Sequence, residues 1–132
     1  MNQESRKIKS FTDLFAWQEG HKLVLEIYQK TITFPREELF GLTSQMRRSA
    51  ASITANLAEG FSRQSYKDKL RFYFISQGSV TELQDQLLIA RDIKYINLQE
   101  FKNLAIQAIT VHKIINGLIK STKEIVKNTP IS

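Results

Sequence analysis

The sequence predicts an all-α protein, and three observations support this prediction. The 132 residues include only five glycines and two prolines, which leaves little room for the turns of a many-stranded sheet. Apolar residues recur at the three- and four-residue spacing of a helix face rather than at the alternation of a strand. Four such segments are each preceded by a residue able to cap a helix, and short connections join them. We therefore expect an antiparallel up-down-up-down four-helix bundle, in an oligomeric state.

The first two predicted helices cover residues 13–32 and 44–59. Ser10 or Thr12 is the expected N-cap of the first helix, because a short side-chain oxygen can accept a hydrogen bond from the free N–H groups of the first turn. Gly60 is expected to end the second helix, because glycine adopts the left-handed conformation that commonly follows a helix.

The third and fourth predicted helices cover residues 66–92 and 98–127. Each begins with a capping box, in which the cap side chain and an acidic side chain three residues later bond each other's backbone N–H groups. The two boxes are Ser65 with Asp68 and Asn97 with Glu100.

A chain of this length suits one domain. We expect the bundle over residues 11–128, a flexible N-terminal segment over residues 1–10 and a C-terminal tail over residues 129–132. The start is polar and basic and does not resemble a secretory signal, so a cytoplasmic location is expected. The longest stretches without charge have ten residues, about half of the ~20 that cross a membrane, so no membrane partner is expected.

The composition argues against several kinds of chemistry. The absence of cysteine excludes disulfides, thiolate catalysis and Cys-ligated metals. Neither His21 nor His112 has a glutamate three residues before it, as the di-iron sites of helix bundles require. Glu59 and Glu82 could share a cavity, but no nucleophile and base stand at a suggestive spacing. We therefore predict no enzyme activity, no metal and no cofactor.

Polar residues recur at helical spacing along one side of the second and third predicted helices, where a core would be expected. Counting outward from the linker places Ser49 near Ser76, and predicts that Arg48 pairs with Glu82. The same count predicts a pair between Glu59 and Arg71. Such polar cores can fix the register of packed helices. The predicted buried polar network consists of Gln45, Arg48, Asn56, Glu59, Ser79 and Glu82.

Four apolar residues lie away from the predicted core faces. On the first helix, Leu23 and Ile27 lie off a face formed by residues such as Leu25. On the fourth helix, Ile106 and Ile109 lie within a stripe of lysines. Because a lone bundle does not need this additional apolar surface, we predict that these four residues form the interface of a homo-oligomer.

The net charge of +6 is concentrated in two regions. Residues 61–71 hold four cations and one acid, and residues 101–132 hold five lysines and one acid. The first region surrounds a helix N-terminus, and Phe61 and Tyr66 there offer faces on which a base could stack. A solvated basic surface explains the same charges without a ligand. The predicted contacts to RNA or DNA phosphates are Arg63, Lys67, Lys69, Arg71, Lys113, Lys120 and Lys127.

Four motifs carry a resemblance to a known family. They are Phe11-x-x-Leu14-x-x-Trp17-Gln18, Phe34-Pro35-x-Glu37-Glu38-x-Phe40-Gly41-Leu42, Gln45-x-Arg47-Arg48-Ser49-Ala50-x-Ser52-Ile53-x-x-Asn56-Leu57-Ala58-Glu59-Gly60 and Gly78-Ser79-x-x-Glu82-Leu83-x-x-Gln86-Leu87. In these motifs the chain resembles the four-helix-bundle proteins encoded in intervening sequences of bacterial 23S ribosomal RNA genes. The resemblance covers about residues 11–118.

The resemblance implies a homo-oligomer, commonly a pentamer, with no known enzymatic activity. It also implies a distant similarity to the accessory variability protein of diversity-generating retroelements, which binds nucleic acid and reverse transcriptase. The first functional hypothesis is therefore a non-catalytic homo-oligomer whose basic edge contacts RNA or DNA. A second is a protein-interaction scaffold that presents its additional apolar residues to a different chain. A third is a small-ligand binder or enzyme that uses polar residues around Asn56, Glu59 and Glu82.

Overall fold

A computed structural model describes residues 7–129. Over these residues the chain is all-α, as predicted, with four long helices and no strand. The helices are α1 (Phe15–Thr31), α2 (Leu42–Ser62), α3 (Tyr66–Asp92) and α4 (Leu98–Lys127). Short 3-10 helices at Phe11–Asp13 and Arg36–Glu38 precede α1 and α2. Most of the predicted N-terminal segment and most of the predicted C-terminal tail lie outside the described residues.

The predicted bounds of α3 and α4 agree with the structure, because each helix begins at a side-chain cap. The Asn97 side chain accepts from the N–H of Glu100 at 2.8 Å, and the Glu100 side chain accepts from the N–H of Asn97 at 2.9 Å. The Ser65 hydroxyl accepts from the N–H of Asp68 at 3.1 Å. Ser10 caps the 3-10 helix before α1 instead of α1 itself.

The predicted end of α2 at Gly60 is wrong, because the helix continues to Ser62. Gly60 has a negative φ and is buried where the Tyr73 ring of α3 packs against it. The connection to α3 is therefore only residues 63–65, and the pairing of the two helices is shifted from the predicted one. The Ser76 hydroxyl donates to the carbonyl oxygen of Ile53 at 2.7 Å, about one turn from its predicted neighbour Ser49.

The core lies between all four helices. α2 packs against α3, α3 against α4, and α1 against both α2 and α4. Burying these side chains is the main favourable contribution to the stability of the fold. The largest fully buried apolar side chains are Leu23, Ile27, Met46, Ile53, Leu57, Leu83, Leu87, Leu104 and Ile115.

The prediction that Leu23 and Ile27 form an oligomer interface is wrong, because both are 0% exposed within a single chain. The face of α1 that contacts the core also carries Ala16, Gly20 and Thr31. These residues are small or polar, so the sequence pattern does not identify their face as the buried one. The face is buried because α2 packs closely against it: a Cβ added at Gly20 would lie 3.2 Å from Thr54 Cγ2.

Two large apolar side chains on or just after α1 lie on the opposite, solvent-exposed side. Leu25 is 56% exposed and Ile32, just after the helix, is 71% exposed. Over residues 7–129, none of the helices has the length and hydropathy that a bilayer crossing requires.

Candidate nucleic-acid interface and polar groove

The predicted polar residues of α2 and α3 form an open groove rather than a buried network. Gln45, Arg48, Glu59 and Glu82 are exposed, and among the six predicted members only Ser79 is buried. The groove has a volume of about 290 Å³. Its lining residues are Gln45, Arg48, Ser49, Ser52, Glu82 and Gln86.

A small hydrogen-bonded cluster continues from the end of this groove. The Asn56 side-chain amide donates to the carbonyl oxygen of Ser52 at 2.8 Å and to its hydroxyl at 3.0 Å. The Ser79 hydroxyl of α3 donates to the same Ser52 hydroxyl at 2.8 Å. The polar cluster that joins α2 to α3 therefore consists of short, uncharged side chains, which need no charged partner when they are partly buried.

The two predicted ion pairs are not formed. Glu59 pairs within its own helix with Arg63, at 3.2 Å, and Arg71 pairs with Asp68 at 3.7 Å. Arg48 and Glu82 line the same groove, but no ion pair joins them. Gly60, the residue after Glu59, packs against Phe72 and Tyr73, so Glu59 and Arg71 lie at similar heights on the two helices. Both side chains are exposed, however, and each pairs with a nearer residue of its own helix.

Lys69, a predicted phosphate contact, is occupied by contacts within the protein. Its Nζ donates to the carbonyl oxygen of Phe61 at 2.6 Å, near the end of α2. The same Nζ lies 5.3 Å from the centroid of the Phe61 ring and 5.7 Å from that of the Tyr66 ring. Burial lowers the pKa of Lys69. These contacts indicate that Lys69 has a structural role as a helix cap and is not free to bind a phosphate.

The two predicted arginine contacts differ in their availability. Both guanidinium groups lie near the Phe72 ring, with centroid distances of 4.6 Å for Arg63 and 5.0 Å for Arg71. Arg63 is also paired with Glu59, whereas Arg71 has the longer pair and a side chain that is 64% exposed. Lys67 is exposed and has no ion pair with any described residue. Lys67 and Arg71 are therefore the cations of this region that remain open to a ligand.

The predicted lysines of α4, Lys113, Lys120 and Lys127, are all exposed. The structure adds Lys123, whose Nζ lies 5.1 Å from the centroid of the Phe74 ring on α3. Its spacing from Lys120 and Lys127 places it on the same helix face, so helical periodicity could have identified it. Phe74 likewise shares a face of α3 with Lys67 and Arg71. The contact between Lys123 and Phe74 therefore places the second basic region beside the face of α3 that carries Lys67 and Arg71.

The exposed face shared by α3 and α4 carries positive charge at one end and apolar side chains at the other. We call one part of it the basic half, which consists of Lys67, Arg71, Lys120, Lys123 and Lys127. The other part, the apolar half, contains Ile106 and Ile109, which are 63% and 46% exposed. An apolar groove of about 180 Å³ in this half is lined by Gln84, Leu87, Leu88, Phe101, Ala105 and Ile109.

Among residues 7–129, no group of three or more His, Cys, Asp or Glu side chains could hold a metal ion. The His21 ring stacks on the Trp17 ring at a centroid distance of 4.7 Å, in a packing role. Phe11 contacts the same Trp17 ring edge to face at 5.4 Å.

The comparisons with known proteins agree on the fold. Residues 12–117 match the sequence model of the family described as 23S rRNA-intervening sequence protein. A solved structure, described as a protein with unknown function from the S23 ribosomal protein family from Bacteroides thetaiotaomicron, is similar with a TM-score of 0.72 and 20% identity. The similarity covers 80% of this chain and 98% of that one. No curated protein matches the sequence.

Proposed function

The chain belongs to the 23S rRNA-intervening sequence protein family, and from this premise we propose that it is a non-catalytic protein of the cytoplasm that contacts the RNA or DNA backbone. In this proposal it is an antiparallel up-down-up-down bundle that assembles as a homo-oligomer. The basic half is the contact surface, and the apolar half lies between copies. The ring of five subunits is the form that the family resemblance favours.

The observation that carries the proposal is the contact between Lys123 and Phe74. It places the end of α4 beside the first part of α3. From this contact and the helical spacing we infer that the five cations of the basic half share one surface. Neutralising several neighbouring phosphates releases counterions, which is the main source of sequence-independent affinity for nucleic acid. Phe74 is 45% exposed beside these cations and offers a face on which a base of a single strand can stack.

Assembly would strengthen this contact. Each copy repeats the basic half, and linked copies bind a long strand more tightly than a single copy does. Ile106 and Ile109 support assembly, because contiguous exposed apolar residues favour burial against another surface. Leu23 and Ile27 give no such support, because both are buried in the core of one chain.

A binding measurement on single-stranded RNA at two salt concentrations tests the proposal. The wild type is expected to bind at low salt and to lose affinity as salt rises. The variant K120Q/K123Q/K127Q should bind at least tenfold more weakly, with a salt slope that is smaller by about 0.7 for each phosphate that the variant no longer neutralises.

The matched control is K9Q/K22Q/K94Q, which removes the same charge from exposed lysines outside the basic half. The control is expected to stay close to the wild type. Absence of wild-type binding at low salt, or equal weakening in both triple variants, would exclude the basic half as the contact surface.

A protein-interaction scaffold is the second candidate, and Phe40 favours it. This side chain is 93% exposed between α1 and α2, and Leu39 beside it is 49% exposed. Aromatic side chains in such positions are common anchors of protein interfaces. A monomeric mass in light scattering, together with absence of RNA binding, would favour this candidate over the first.

A further inference from the structure

The groove between α2 and α3 is a polar feature that the proposed function does not use. At about 290 Å³ it is near the lower limit of ligand clefts in proteins, so its size suits a small solute. All six residues that line it are polar: Gln45, Arg48, Ser49, Ser52, Glu82 and Gln86.

Two opposite charges line this groove without pairing. The hydrogen bond from Ser79 to Ser52 fixes the pairing of α2 and α3 at one end of the groove. About one turn away from it, Arg48 lies on the α2 side and Glu82 on the α3 side. Neither side chain has an ion pair or a hydrogen bond with any described residue. The groove therefore offers one cation and one anion to an occupant.

Gln86 supplies an independent indication of a ligand. It lies one turn beyond Glu82 on α3, lines the groove and is only 8% exposed. Its Oε1 is buried and has no hydrogen-bond donor among the described residues. Buried polar atoms are rarely left unpaired, because they lose their hydrogen bonds to water. The terminal amide torsion of glutamine is broad, so rotation can turn this oxygen toward the open side.

We propose that this groove binds a small zwitterion of the α-amino-acid type. The carboxylate of the ligand contacts the Arg48 guanidinium, and its ammonium group contacts the Glu82 carboxylate and the Gln86 amide oxygen. One molecule thereby provides a partner for all three groups. A simple anion would face the like charge of Glu82, and a simple cation would leave Arg48 unpaired, so both should bind more weakly.

A titration followed by ¹H–¹⁵N NMR tests this proposal on the full chain. The probes are glycine and L-glutamine, and the half-probes are acetate and methylammonium chloride. Each amino acid is expected to produce saturable shifts at the amides of residues 45–52 and 82–86. The half-probes should bind at least tenfold more weakly. Absence of saturable shifts in these segments, or equal binding of the half-probes, would overturn the proposal.

Three variants test whether Arg48, Glu82 and Gln86 contact the bound amino acid. R48Q and E82Q alter exposed side chains, so they should fold normally and weaken amino-acid binding at least tenfold. Q86L should also weaken binding, while its unfolding temperature stays at or above that of the wild type because an unpaired buried acceptor is removed.

D85N is the matched control, since Asp85 is exposed on α3 and does not line the groove. Equal binding by E82Q and D85N would refute the assignment. RNA binding should be unchanged in all four variants, so this test is independent of the proposed function.

Discussion

At the scale of single residues, Glu38 connects three parts of the chain through one carboxylate. Its Oε1 accepts from the N–H of Leu42 at 3.1 Å, at the first residue of α2. Its Oε2 accepts from the Tyr95 hydroxyl at 2.7 Å, between α3 and α4. The bond from Tyr95, followed by that from Leu42, lowers the pKa of Glu38 below its ordinary value of 4.5. The hydrogen bond to Glu38 in turn raises the pKa of Tyr95.

E38Q is expected to lower the unfolding temperature at neutral pH by a few degrees. Because the pKa of Glu38 is lower in the folded state, its contribution to stability is fully present above the unfolded value of 4.5. That contribution disappears as the pH falls through the folded-state pKa, and the difference between variant and wild type should disappear with it. Thermal unfolding followed by circular dichroism, at pH values from about 3 to about 7, measures this difference. This range covers the titration of a carboxyl group.

E37Q is the control for this prediction, because Glu37 is exposed and its side chain makes no hydrogen bond with any described residue. It should differ little from the wild type at any pH. A loss of stability in E38Q that persists unchanged in acid would show that the ionised carboxylate is not the stabilising group.

At the scale of whole helices, α1 and α2 show how small residues determine packing. The core face of α1 includes Gly20, and the core face of α2 includes Gly60. The approach is closer at Gly60 than at Gly20, since a Cβ added at Gly60 would lie 2.7 Å from Tyr73 Cε1. Tyr73 is 3% exposed, and this burial raises its pKa to about 12. Because the ring is buried, it cannot turn into solvent to make room for an added methyl group. In contrast, Gly78 of α3 has nothing within 4 Å of an added Cβ.

We expect G60A to lower the free energy of unfolding by about 1–3 kcal/mol, because overpacking outweighs the helix propensity that alanine gains. G78A is the matched control in an exposed helix interior, where it should raise that free energy by about 0.5–1 kcal/mol. Urea denaturation of both variants measures the two changes. Equal stabilisation by both substitutions would mean that α2 and α3 are not in close contact at Gly60.

At the scale of the whole molecule, the exposed face of α3 and α4 separates charge from apolar surface. The hydrogen bond from Gln77 to Asn116, at 3.4 Å, lies between the two halves. Toward the start of α3, the surface carries the basic half. Toward the start of α4, it carries Leu88, Ile106 and Ile109, each more than 40% exposed. Such a division allows one half to contact another copy while the other half stays open to a strand.

I106K/I109K is therefore expected to lower the solution mass from that of an oligomer to that of one chain, because two new charges would have to be desolvated between copies. L25K/I32K is the control, since Leu25 and Ile32 are similarly exposed on or beside α1. Light scattering measures the mass of each variant. A monomeric wild type, or a drop in mass in the control alone, would contradict an interface at the apolar half.

The helical class and the bounds of α3 and α4 could be predicted almost completely from the order of the amino acids. Caps at Ser65 and Asn97 act through neighbouring backbone groups, so they can be recognised from a few consecutive residues. Most exposed cations of the basic half could be identified for the same reason, because charge and helical spacing are local properties. Lys123 lies one turn from Lys120 and Lys127 and is the cation of the basic half that the predicted set of contacts lacks.

The buried face of α1 and the pairing of α2 with α3 follow instead from how the helices pack. Gly20 marks a core face because α2 approaches it closely, and its own hydrophobicity does not reveal this. Continuation of α2 through Gly60 moves the connection to residues 63–65 and places Gly60 against the Tyr73 ring. Arg48 and Glu82 line an open groove and form no ion pair with each other. These features depend on distances between helices, which no pattern along one helix specifies.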